Sequence, residues 1–190
     1  MTDKKELRAL IRKKRDALSE EYKSSSSKAI AEHLIFSDSF IRAQSVFVYI
    51  SSSDEPDTAK IINAAFNADK TVYVPRCISK GIMEAVRVTP DTEYIKGYMG
   101  ISEPENGEKA LPHEKIDLCV IPCVSASLKG ERLGHGAAFY DIFLKSADTE
   151  KICLCFAELL SENIPTDEND IFMDAIITEN GITLVTANHI

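Results

Sequence analysis

The sequence predicts an α/β fold, a single domain over residues 1–190 in which a mainly parallel sheet is sandwiched between helices in three α/β/α layers. Apolar strand-like runs alternate with helical segments along the chain, which is typical of a parallel sheet covered by helices. The run 116–122 is almost wholly apolar and ends at a proline, as expected for a strand buried on both faces. A length of 190 residues suits one well-buried core.

Composition and charge exclude several classes of protein. A hydrophobic fraction of 44% and a charged fraction of 27% are ordinary for a globular protein. We expect no membrane partner, because no apolar run approaches the roughly 20 residues that span a bilayer. We expect a cytoplasmic location, because the chain is charged from Asp3 onward and does not resemble a signal peptide there. The net charge of -8 argues against nucleic acid as a partner. The expected state is a monomer or a weak homodimer.

The cysteines predict reduced thiols. All five lie in or beside apolar runs, where a reduced cysteine behaves as a small hydrophobic residue. No pair has the two-residue spacing of a zinc or redox motif, and the four histidines are scattered. The sequence therefore favours neither a disulfide framework nor a soft-metal site.

The first predicted element is an amphipathic helix from Lys4 to about Leu18. Apolar residues recur in it at helical spacing, and basic residues fill the gaps. Lys4 and Arg8 are four residues apart, so they share one face and could together hold an anion. The alternative is that this basic segment is only a solvated helix face.

Helices and strands then alternate. Ser19 is a good cap for a second helix that reaches Phe36. Strands are expected at 46–50, at 71–74 with its end at Pro75, at 83–88, 152–157, 175–178 and 182–185, with a helix through 61–66, a turn at Gly81 and an irregular segment at 89–114.

The loop 51–58 follows the first strand and carries Asp54, Glu55 and Asp57. In open α/β sheets, ligands bind at the carboxyl ends of the strands. Glu55 is therefore a candidate for accepting hydrogen bonds from a polar ligand. Alternatively, the three carboxylates only favour the start of the next helix through its dipole.

The central segment is predicted to be a buried strand at 116–122, a glycine-bearing loop at 129–136 and a helix at 137–144. One apolar helix face would bury Phe139, Ile142 and Phe143. Such a loop can bring backbone amides and the positive end of a helix dipole to a phosphate. The residues from Gly134 match neither the dinucleotide nor the P-loop pattern, so a plain flexible turn remains the alternative.

Taken together, these segments resemble the 5-formyltetrahydrofolate cyclo-ligase family, also called methenyltetrahydrofolate synthetase, over nearly the whole chain. The landmarks occur in order, which makes the set far more specific than any one of them. They are Lys4-Lys5-Glu6-Leu7-Arg8, the loop Asp54 to Thr58, Val74-Pro75-Arg76, Gly100-Ile101-Ser102-Glu103-Pro104, Arg132-Leu133-Gly134-His135-Gly136-Ala137-Ala138-Phe139-Tyr140-Asp141 and the segment Asp167-Glu168-Asn169-Asp170.

The resemblance implies an ATP- and magnesium-dependent ring closure. In that reaction 5-formyltetrahydrofolate becomes 5,10-methenyltetrahydrofolate, with release of ADP and phosphate, after its formyl oxygen has attacked the γ-phosphate. By the resemblance, magnesium would bind Asp141 and Asp170, which also suits a hard cation that prefers carboxylate oxygens and completes its shell with phosphate and water. The alternative is that Asp141 is a solvated helix residue and Asp170 a turn aspartate. Folate would contact Glu55 and the residues His135, Gly136, Ala137, Ala138 and Phe139. ATP would be held by Lys4, Arg8, Arg132, Leu133, Gly134, His135, Gly136, Ala137, Ala138, Phe139 and Tyr140.

Two departures from the family pattern leave alternatives open. Ala138 replaces the third loop glycine, and Ser125-Ala126-Ser127 replaces a segment that usually ends in Phe-Asp. Alanine would be strained at 138 if the backbone needs angles that favour glycine, and harmless if the angles are helical. A non-catalytic folate- or nucleotide-binding relative, or an ATP-dependent enzyme acting on another heterocycle, therefore stays possible.

Overall fold

A central sheet runs through the part of the chain that this computed structural model describes, residues 3–97, 100, 102–109 and 116–186. Its strands are β1 (Ser45–Val48), β2 (Thr71–Ser79), β3 (Ile82–Val88), β6 (Glu108–Lys109), β7 (Leu118–Ile121), β10 (Glu150–Leu154), β11 (Ala175–Thr178) and β12 (Gly181–Leu184). Two small two-stranded sheets pair β4 (Tyr94–Lys96) with β5 (Ser102–Pro104) and β8 (Ser125–Ala126) with β9 (Arg132–Leu133).

The order of the central strands is β12-β11-β10-β7-β1-β2-β3-β6. From β11 to β2 each neighbouring pair is parallel, and β12, β3 and β6 add antiparallel strands at the two edges. This arrangement confirms the prediction of a mainly parallel sheet. The carboxyl ends of the five parallel strands all lie along one edge of the sheet.

Helices flank this sheet, and the first three of them begin at side chains that cap their N-termini. Asp3 accepts hydrogen bonds from two backbone amides of the first helix, and Ser19 and Ser37 each accept one from the helix that follows them. The second helix begins after Ser19 as predicted. In chain order the helices are α1 (Lys4–Asp16), α2 (Glu20–Ile35), α3 (Asp38–Arg42), α4 (Ala59–Asn67) and α5 (Phe139–Leu144), and a 3-10 turn covers Ala157–Leu159.

The core is centred on β1 and β7, whose apolar side chains are fully buried. The ring of Phe47 in β1 stacks on Phe143 of α5, with 4.9 Å between the ring centroids. Strand β1 also pairs with a parallel neighbour on each side. Burial of this kind is the main favourable contribution to folding, about 25 cal/mol for each Å² of apolar surface removed from water.

Strand β2 corrects one prediction, because it continues through Pro75 to Ser79 instead of ending there. Its pairing with β1 stops at Tyr73, whereas its pairing with β3 continues through Pro75. Proline lacks an amide hydrogen, so it is tolerated where a strand has a neighbour on one side only. The segment predicted to be irregular also holds β4, β5 and β6, although residues 98–99, 101 and 110–114 of it, including Ile101 of a family landmark, lie outside the described residues.

The central segment is more elaborate than the predicted strand, loop and helix. Between β7 and α5 the chain forms the hairpin β8–β9, and α5 is only six residues long. Within α5, Ile142 is 56% exposed, so the prediction that it is buried beside Phe143 was wrong. The helix is too short for its apolar positions to share one buried stripe.

Gly130 turns the β8–β9 hairpin and fixes its distance from a later segment. It has a φ of +90°, a conformation that favours glycine. Its carbonyl accepts a hydrogen bond from the Met173 amide at 2.9 Å, and a β-carbon at Gly130 would lie 2.8 Å from the Met173 carbonyl oxygen. The hairpin therefore packs backbone to backbone against the segment that follows Asp170.

Within the described ranges, no helix is long and apolar enough to cross a membrane.

Candidate functional site

Helix α1 lies across the carboxyl ends of the parallel strands. Arg15 forms an ion pair with Asp54, in the loop after β1, with 3.0 Å between Nη1 and Oδ2. About two helical turns nearer the N-terminus, Arg8 Nε donates a hydrogen bond to the Gly134 carbonyl oxygen at 2.7 Å. The guanidinium of Arg8 also lies beside Gly136, where an added β-carbon would be 3.6 Å from Cζ. The basic face of α1 and the glycine-bearing loop are therefore in direct contact.

Lys4, one turn before Arg8, contacts a second loop at the same edge. Its Nζ lies 2.8 Å from Asp167 Oδ2 and 2.5 Å from Asp170 Oδ2. Burial opposes the charge on Lys4, but the hydrogen bonds to the two carboxylates outweigh it and raise the pKa of Lys4. The hydrogen bond from Lys4 is also the main reason why the pKa of Asp167 is lowered.

Arg132 and Asp141 form a buried ion pair. Arg132 Nη2 donates to both carboxylate oxygens of Asp141 at 2.8 Å, and the Arg132 side chain is only 3% exposed. The guanidinium also lies over the ring of Tyr140, with 5.7 Å between Cζ and the ring centroid. The main contact of the Arg132 side chain is thus with Asp141 inside the protein, whereas its predicted contact with ATP stays a prediction.

The two carboxylates predicted to bind magnesium are joined through one residue. Asp141 Oδ1 accepts a hydrogen bond from the amide of Ile171 at 3.3 Å, and Ile171 directly follows Asp170. The hydrogen bonds to Asp170 come from Lys4 and from the Asp167 amide, and both use Oδ2, so Oδ1 takes no part in them. Two carboxylates with remaining oxygen lone pairs are a donor set that fits magnesium.

No group of three or more His, Cys, Asp or Glu side chains in the described ranges could hold a metal ion by itself. A cation here would therefore need further oxygen ligands from phosphate or water, which is the usual coordination of magnesium.

The loop from Gly134 to Ala138 carries two residues with positive φ. Gly136 has a φ of +104°, and Ala138 has φ +56° and ψ +13°, which is the left-handed helical region. The backbone at Ala138 therefore favours glycine, which answers the question that the sequence left open. Leu133, just before this loop, has a buried side chain and accepts a hydrogen bond through its backbone carbonyl from Val124.

Glu55 and His135 bring the loop after β1 to the glycine-bearing loop. His135 Nε2 lies 3.3 Å from Glu55 Oε1, and Glu55 Oε2 accepts hydrogen bonds at 2.9 Å from the amide and the hydroxyl of Ser52. Burial raises the pKa of Glu55, but the hydrogen bonds from His135 and Ser52 outweigh it, and the pKa lies below its ordinary value. Glu55 therefore presents a carboxylate, as a hydrogen-bond acceptor for a polar ligand must.

A polar cleft of about 530 Å³ opens beside Glu55, between α2 and the loop 51–58. Its volume is in the range of small-molecule sites. The other residues that line it are Glu20, Lys23, Ser24, Ser27, Lys28, Ser51, Ser52, Ser53, Asp57 and Lys60.

The serines that depart from the family pattern have structural partners. Ser125 is fully buried, and its hydroxyl donates to the Leu159 carbonyl at 2.6 Å and lies 2.8 Å from the Ser161 hydroxyl. Ser127 is also fully buried and accepts a hydrogen bond from the Lys129 amide. The Ser125 contacts tie the β8–β9 hairpin to the segment after β10, whereas the Ser127 contact lies within the hairpin turn, and both give a buried hydroxyl a partner.

The contacts above bring together most of the candidate residues, namely Lys4, Arg8, Glu55, Arg132, Gly134, His135, Gly136, Asp141 and Asp170. Asp167, the second carboxylate that accepts a hydrogen bond from Lys4, was not predicted to be a site residue. Its spacing of three residues from Asp170, in a polar turn where Asp170 accepts from the Asp167 amide at 2.6 Å, is the signal that could have found it. The ion pair between Arg132 and Asp141 gave no sequence signal, because its two partners come together only through the hairpin.

Solved structures share this architecture. A 5,10-methenyltetrahydrofolate synthetase from Aquifex aeolicus is 28% identical in sequence, with a TM-score of 0.85 over 98% of this chain and 95% of that chain. A 5,10-methenyltetrahydrofolate synthetase from Mycoplasma pneumoniae, 22% identical, has a TM-score of 0.76 over 93% of this chain and 99% of that chain and shows likeness of fold. The fold therefore places this chain in a class of α/β enzymes for which structures have been solved.

Curated sequences and a family model define the class more closely. This chain is 31% identical to a probable 5-formyltetrahydrofolate cyclo-ligase of Caenorhabditis elegans, over 96% of this chain and 95% of that protein. It is 28% identical to the 5-formyltetrahydrofolate cyclo-ligase of Escherichia coli strain K12, over 91% of this chain and 98% of that protein. The model of the 5-formyltetrahydrofolate cyclo-ligase family matches residues 1–179. The chain belongs to this family, which confirms the resemblance found in the sequence.

Proposed function

We propose that this protein is a 5-formyltetrahydrofolate cyclo-ligase that uses magnesium and ATP. It converts 5-formyltetrahydrofolate into 5,10-methenyltetrahydrofolate and releases ADP and phosphate. The observation that carries the proposal is the contact between Arg8 and the Gly134 to Gly136 turn, since it joins the two parts of the chain that would hold the nucleotide. Family membership over residues 1–179 supports the choice of substrate.

The binding of the triphosphate rests on charge and backbone geometry. Lys4 and Arg8 on α1 supply positive charge at the edge where the loop after β9 exposes His135 and Gly136. Charge-assisted hydrogen bonds from such groups to phosphate are about twice as strong as neutral ones. Holding the γ-phosphate in line with the formyl oxygen is the main catalytic contribution, because phosphoryl transfer depends on positioning and charge stabilisation.

Magnesium would be held by Asp141 and Asp170, and when bound it supplies charge neutralisation at the phosphate oxygens. Arg132 positions Asp141 by donating a hydrogen bond to each of its two oxygens, which keep further lone pairs for a cation. Glu55 accepts hydrogen bonds from the folate ring system beside the polar cleft. The formyl oxygen becomes a leaving group once it is phosphorylated, and the folate N10 nitrogen then closes the ring and releases phosphate.

The five cysteines are free thiols, and four of them are buried. Free thiols suit a reducing compartment, which supports the cytoplasm as the place of action.

A coupled assay tests the proposed function. Purified protein is mixed with magnesium, ATP and 5-formyltetrahydrofolate, and the near-ultraviolet absorbance of the methenyl product is followed together with phosphate release. We expect both signals to rise in equal amounts. Intact ligand binding with neither signal would favour the non-catalytic relative, and phosphate release only with another heterocycle would favour the enzyme with a different substrate.

Two arginines of α1 provide a matched pair of variants. Arg8→Gln should weaken the binding of a non-hydrolysable ATP analogue about tenfold or more, because a charge-assisted contact to phosphate is lost. Arg12→Gln removes the same charge from an exposed position one turn away and should leave the affinity nearly unchanged. Equal affinities in the two variants would remove Arg8 from the nucleotide site.

Asp170→Asn tests the metal assignment. It should weaken the magnesium dependence of nucleotide binding, measured by titrating the ATP analogue at increasing magnesium concentrations, because a carboxylate ligand of the cation is lost. Asp141→Asn should act in the same way but also destabilise the fold, since it leaves the buried guanidinium of Arg132 with a weaker partner. Unchanged magnesium dependence in Asp170→Asn would contradict the assignment.

A further inference from the structure

We propose that Lys4 is an exchangeable counter-ion for the metal site. Its ammonium neutralises Asp170 when no nucleotide is bound, and it transfers to the triphosphate when a divalent cation takes its place on the carboxylate. This inference rests on the proposed function, because it concerns the residues that would hold the nucleotide and the metal.

The geometry places Lys4 and a metal ion in competition. An ammonium group has three N–H donors, and Lys4 directs hydrogen bonds to Asp167 and to Asp170. A divalent cation at Asp170 would lie within a few ångströms of this positive charge, and two cations so close repel each other. Full occupancy by both is therefore disfavoured unless an anion lies between them.

Lys4 is the cation of this site that can move. Its side chain is 25% exposed and that of Asp170 is 17% exposed, so solvent reaches the contact that the exchange must break. The lysine stem is also flexible and carries a compact charge. Arg132, which neutralises Asp141, is 3% exposed and donates twice to its carboxylate, so it stays in place. The two predicted metal ligands therefore have one mobile and one fixed counter-ion.

The candidate nucleotide site, to which the Lys4 ammonium would transfer, lies close to its position in this structure. Lys4 lies on the same face of α1 as Arg8, four residues on, and Arg8 contacts the Gly134 to Gly136 turn. A change of side-chain rotamer thus keeps the ammonium within the candidate nucleotide site, and α1 itself need not move.

This exchange makes the binding of nucleotide and metal cooperative. A triphosphate that draws Lys4 away frees Asp170 for the cation, and by thermodynamic linkage the cation strengthens nucleotide binding by the same factor. Either ligand alone would bind weakly. Without the cation, Lys4 would stay paired with Asp170 and contribute little to the nucleotide. Without the nucleotide, the cation would be repelled by the charge on Lys4.

The test measures the binding of Mn²⁺ alone, by electron paramagnetic resonance on the full chain without nucleotide. Lys4→Gln should bind Mn²⁺ about tenfold more tightly than the wild type, because the competing charge is gone. Lys5→Gln is the matched control, since it removes the same charge from the next, exposed position of α1, and it should bind Mn²⁺ as the wild type does. Adding Asp170→Asn to Lys4→Gln should abolish the gain.

Equal Mn²⁺ affinities in Lys4→Gln and Lys5→Gln would overturn the inference. Persistence of the gain in the double variant would also overturn it, because the metal would then not use Asp170. Circular dichroism of each variant confirms that the fold is kept. An intact cyclisation reaction with equal Mn²⁺ affinities would reject the counter-ion role alone. A Lys4-dependent Mn²⁺ affinity without cyclisation of 5-formyltetrahydrofolate would support that role and reject the proposed function.

Discussion

Ala138 adopts a backbone conformation that is unfavourable for a residue with a β-carbon. Its φ of +56° is in the left-handed region, where the β-carbon of an L-residue crowds the following carbonyl. The residue precedes α5 as its N-cap and makes no capping hydrogen bond through its side chain. The loop therefore adopts this conformation at the expense of local strain.

Ala138→Gly should therefore stabilise the protein by about 1 kcal/mol, because removing the β-carbon relieves that strain. The free energy of unfolding in urea measures it. Ala137→Gly is the control, because Ala137 is not among the described residues with positive φ. The control should lower the free energy of unfolding by about 0.5 kcal/mol through greater freedom of the unfolded chain. A loss of stability in Ala138→Gly would show that the loop does not need a glycine conformation.

Glu55 links the site to pH. Hydrogen bonds from His135 and Ser52 outweigh the effect of burial and place its pKa below the ordinary value of 4.5. A group with a depressed pKa in the folded state stabilises the fold above its unfolded pKa, and this stabilisation is lost as the pH falls through the folded pKa. The contribution of Glu55 is thus complete near neutral pH and disappears below pH 4.5.

Glu55→Gln should make the free energy of unfolding less dependent on pH in the acid range, since glutamine has no proton to gain. Urea titrations at several values between about pH 6 and about pH 3 would compare the variant with the wild type. Ser53→Ala, in the same loop, serves as a control without a titrating group. An equally steep loss of stability in Glu55→Gln would mean that Glu55 does not titrate with a shifted pKa.

At the scale of single residues, the sequence predicts candidate positions for the site, but not how their side chains pair. Lys4 and Arg8 were recognisable from their helical spacing, and Asp141 from its place in a motif. The pairing of Asp141 with Arg132 depends on the path of the hairpin between β7 and α5, and no local pattern encodes that path. The conformation of Ala138 also depends on tertiary packing, because isolated alanine prefers right-handed angles.

Among the elements, α1 has the largest influence on the site. It supplies Lys4 and Arg8, and it is anchored by Leu7 and Ile11, which are buried at 9% and 1% exposure. Most of the stability of a helix in a protein comes from packing of this kind. The anchoring residues therefore determine whether the cationic side chains stay at the edge of the sheet.

Ile11→Ala should lower the free energy of unfolding by about 3 kcal/mol, the usual effect of a cavity in a packed core. Leu10→Ala is a close match, since the adjacent Leu10 is 51% exposed, and it should change stability by about 0.5 kcal/mol or less. Urea denaturation of both variants gives the comparison. Similar losses in the two variants would contradict the burial of one face of α1.

The pattern of apolar residues predicted most helices and strands. It was wrong where strand pairing decides the bounds of an element, or where an element is too short to show a period. The strand β2 passes through Pro75 because β1 no longer pairs with it there. The helix α3 was not predicted, since five residues are too few to show a helical period. The hairpin β8–β9 was also missed, because strands of two residues show no alternation.

Over the whole molecule, one continuous core joins the parallel strands to α1, α2, α4 and α5. We propose that residues 1–190 form a single cooperative domain. The mainly parallel pairing of the strands could be predicted from buried apolar runs that alternate with helices, because both faces of a parallel sheet must be covered.

Unfolding should accordingly occur in one transition. Far-ultraviolet circular dichroism follows the backbone, and tyrosine fluorescence follows packing, since the chain has no tryptophan. The two signals should give the same urea midpoint, as expected when one cooperative transition unfolds the whole domain. Distinct midpoints would show that the edge formed by β3 and β6, or the segment after β10, unfolds as a separate unit.

The contact between Gly130 and Met173 bears on how a mutational survey of this protein would be interpreted. Every side chain introduced at Gly130 meets both an unfavourable φ and the Met173 carbonyl oxygen, so tolerance there should be as low as at a position that takes part in the reaction. Gly130 allows the backbone of the β8–β9 hairpin to approach the backbone at Met173 closely. Intolerance to substitution in this protein is therefore a poor guide to chemistry, unless the binding of ligands is scored separately from abundance.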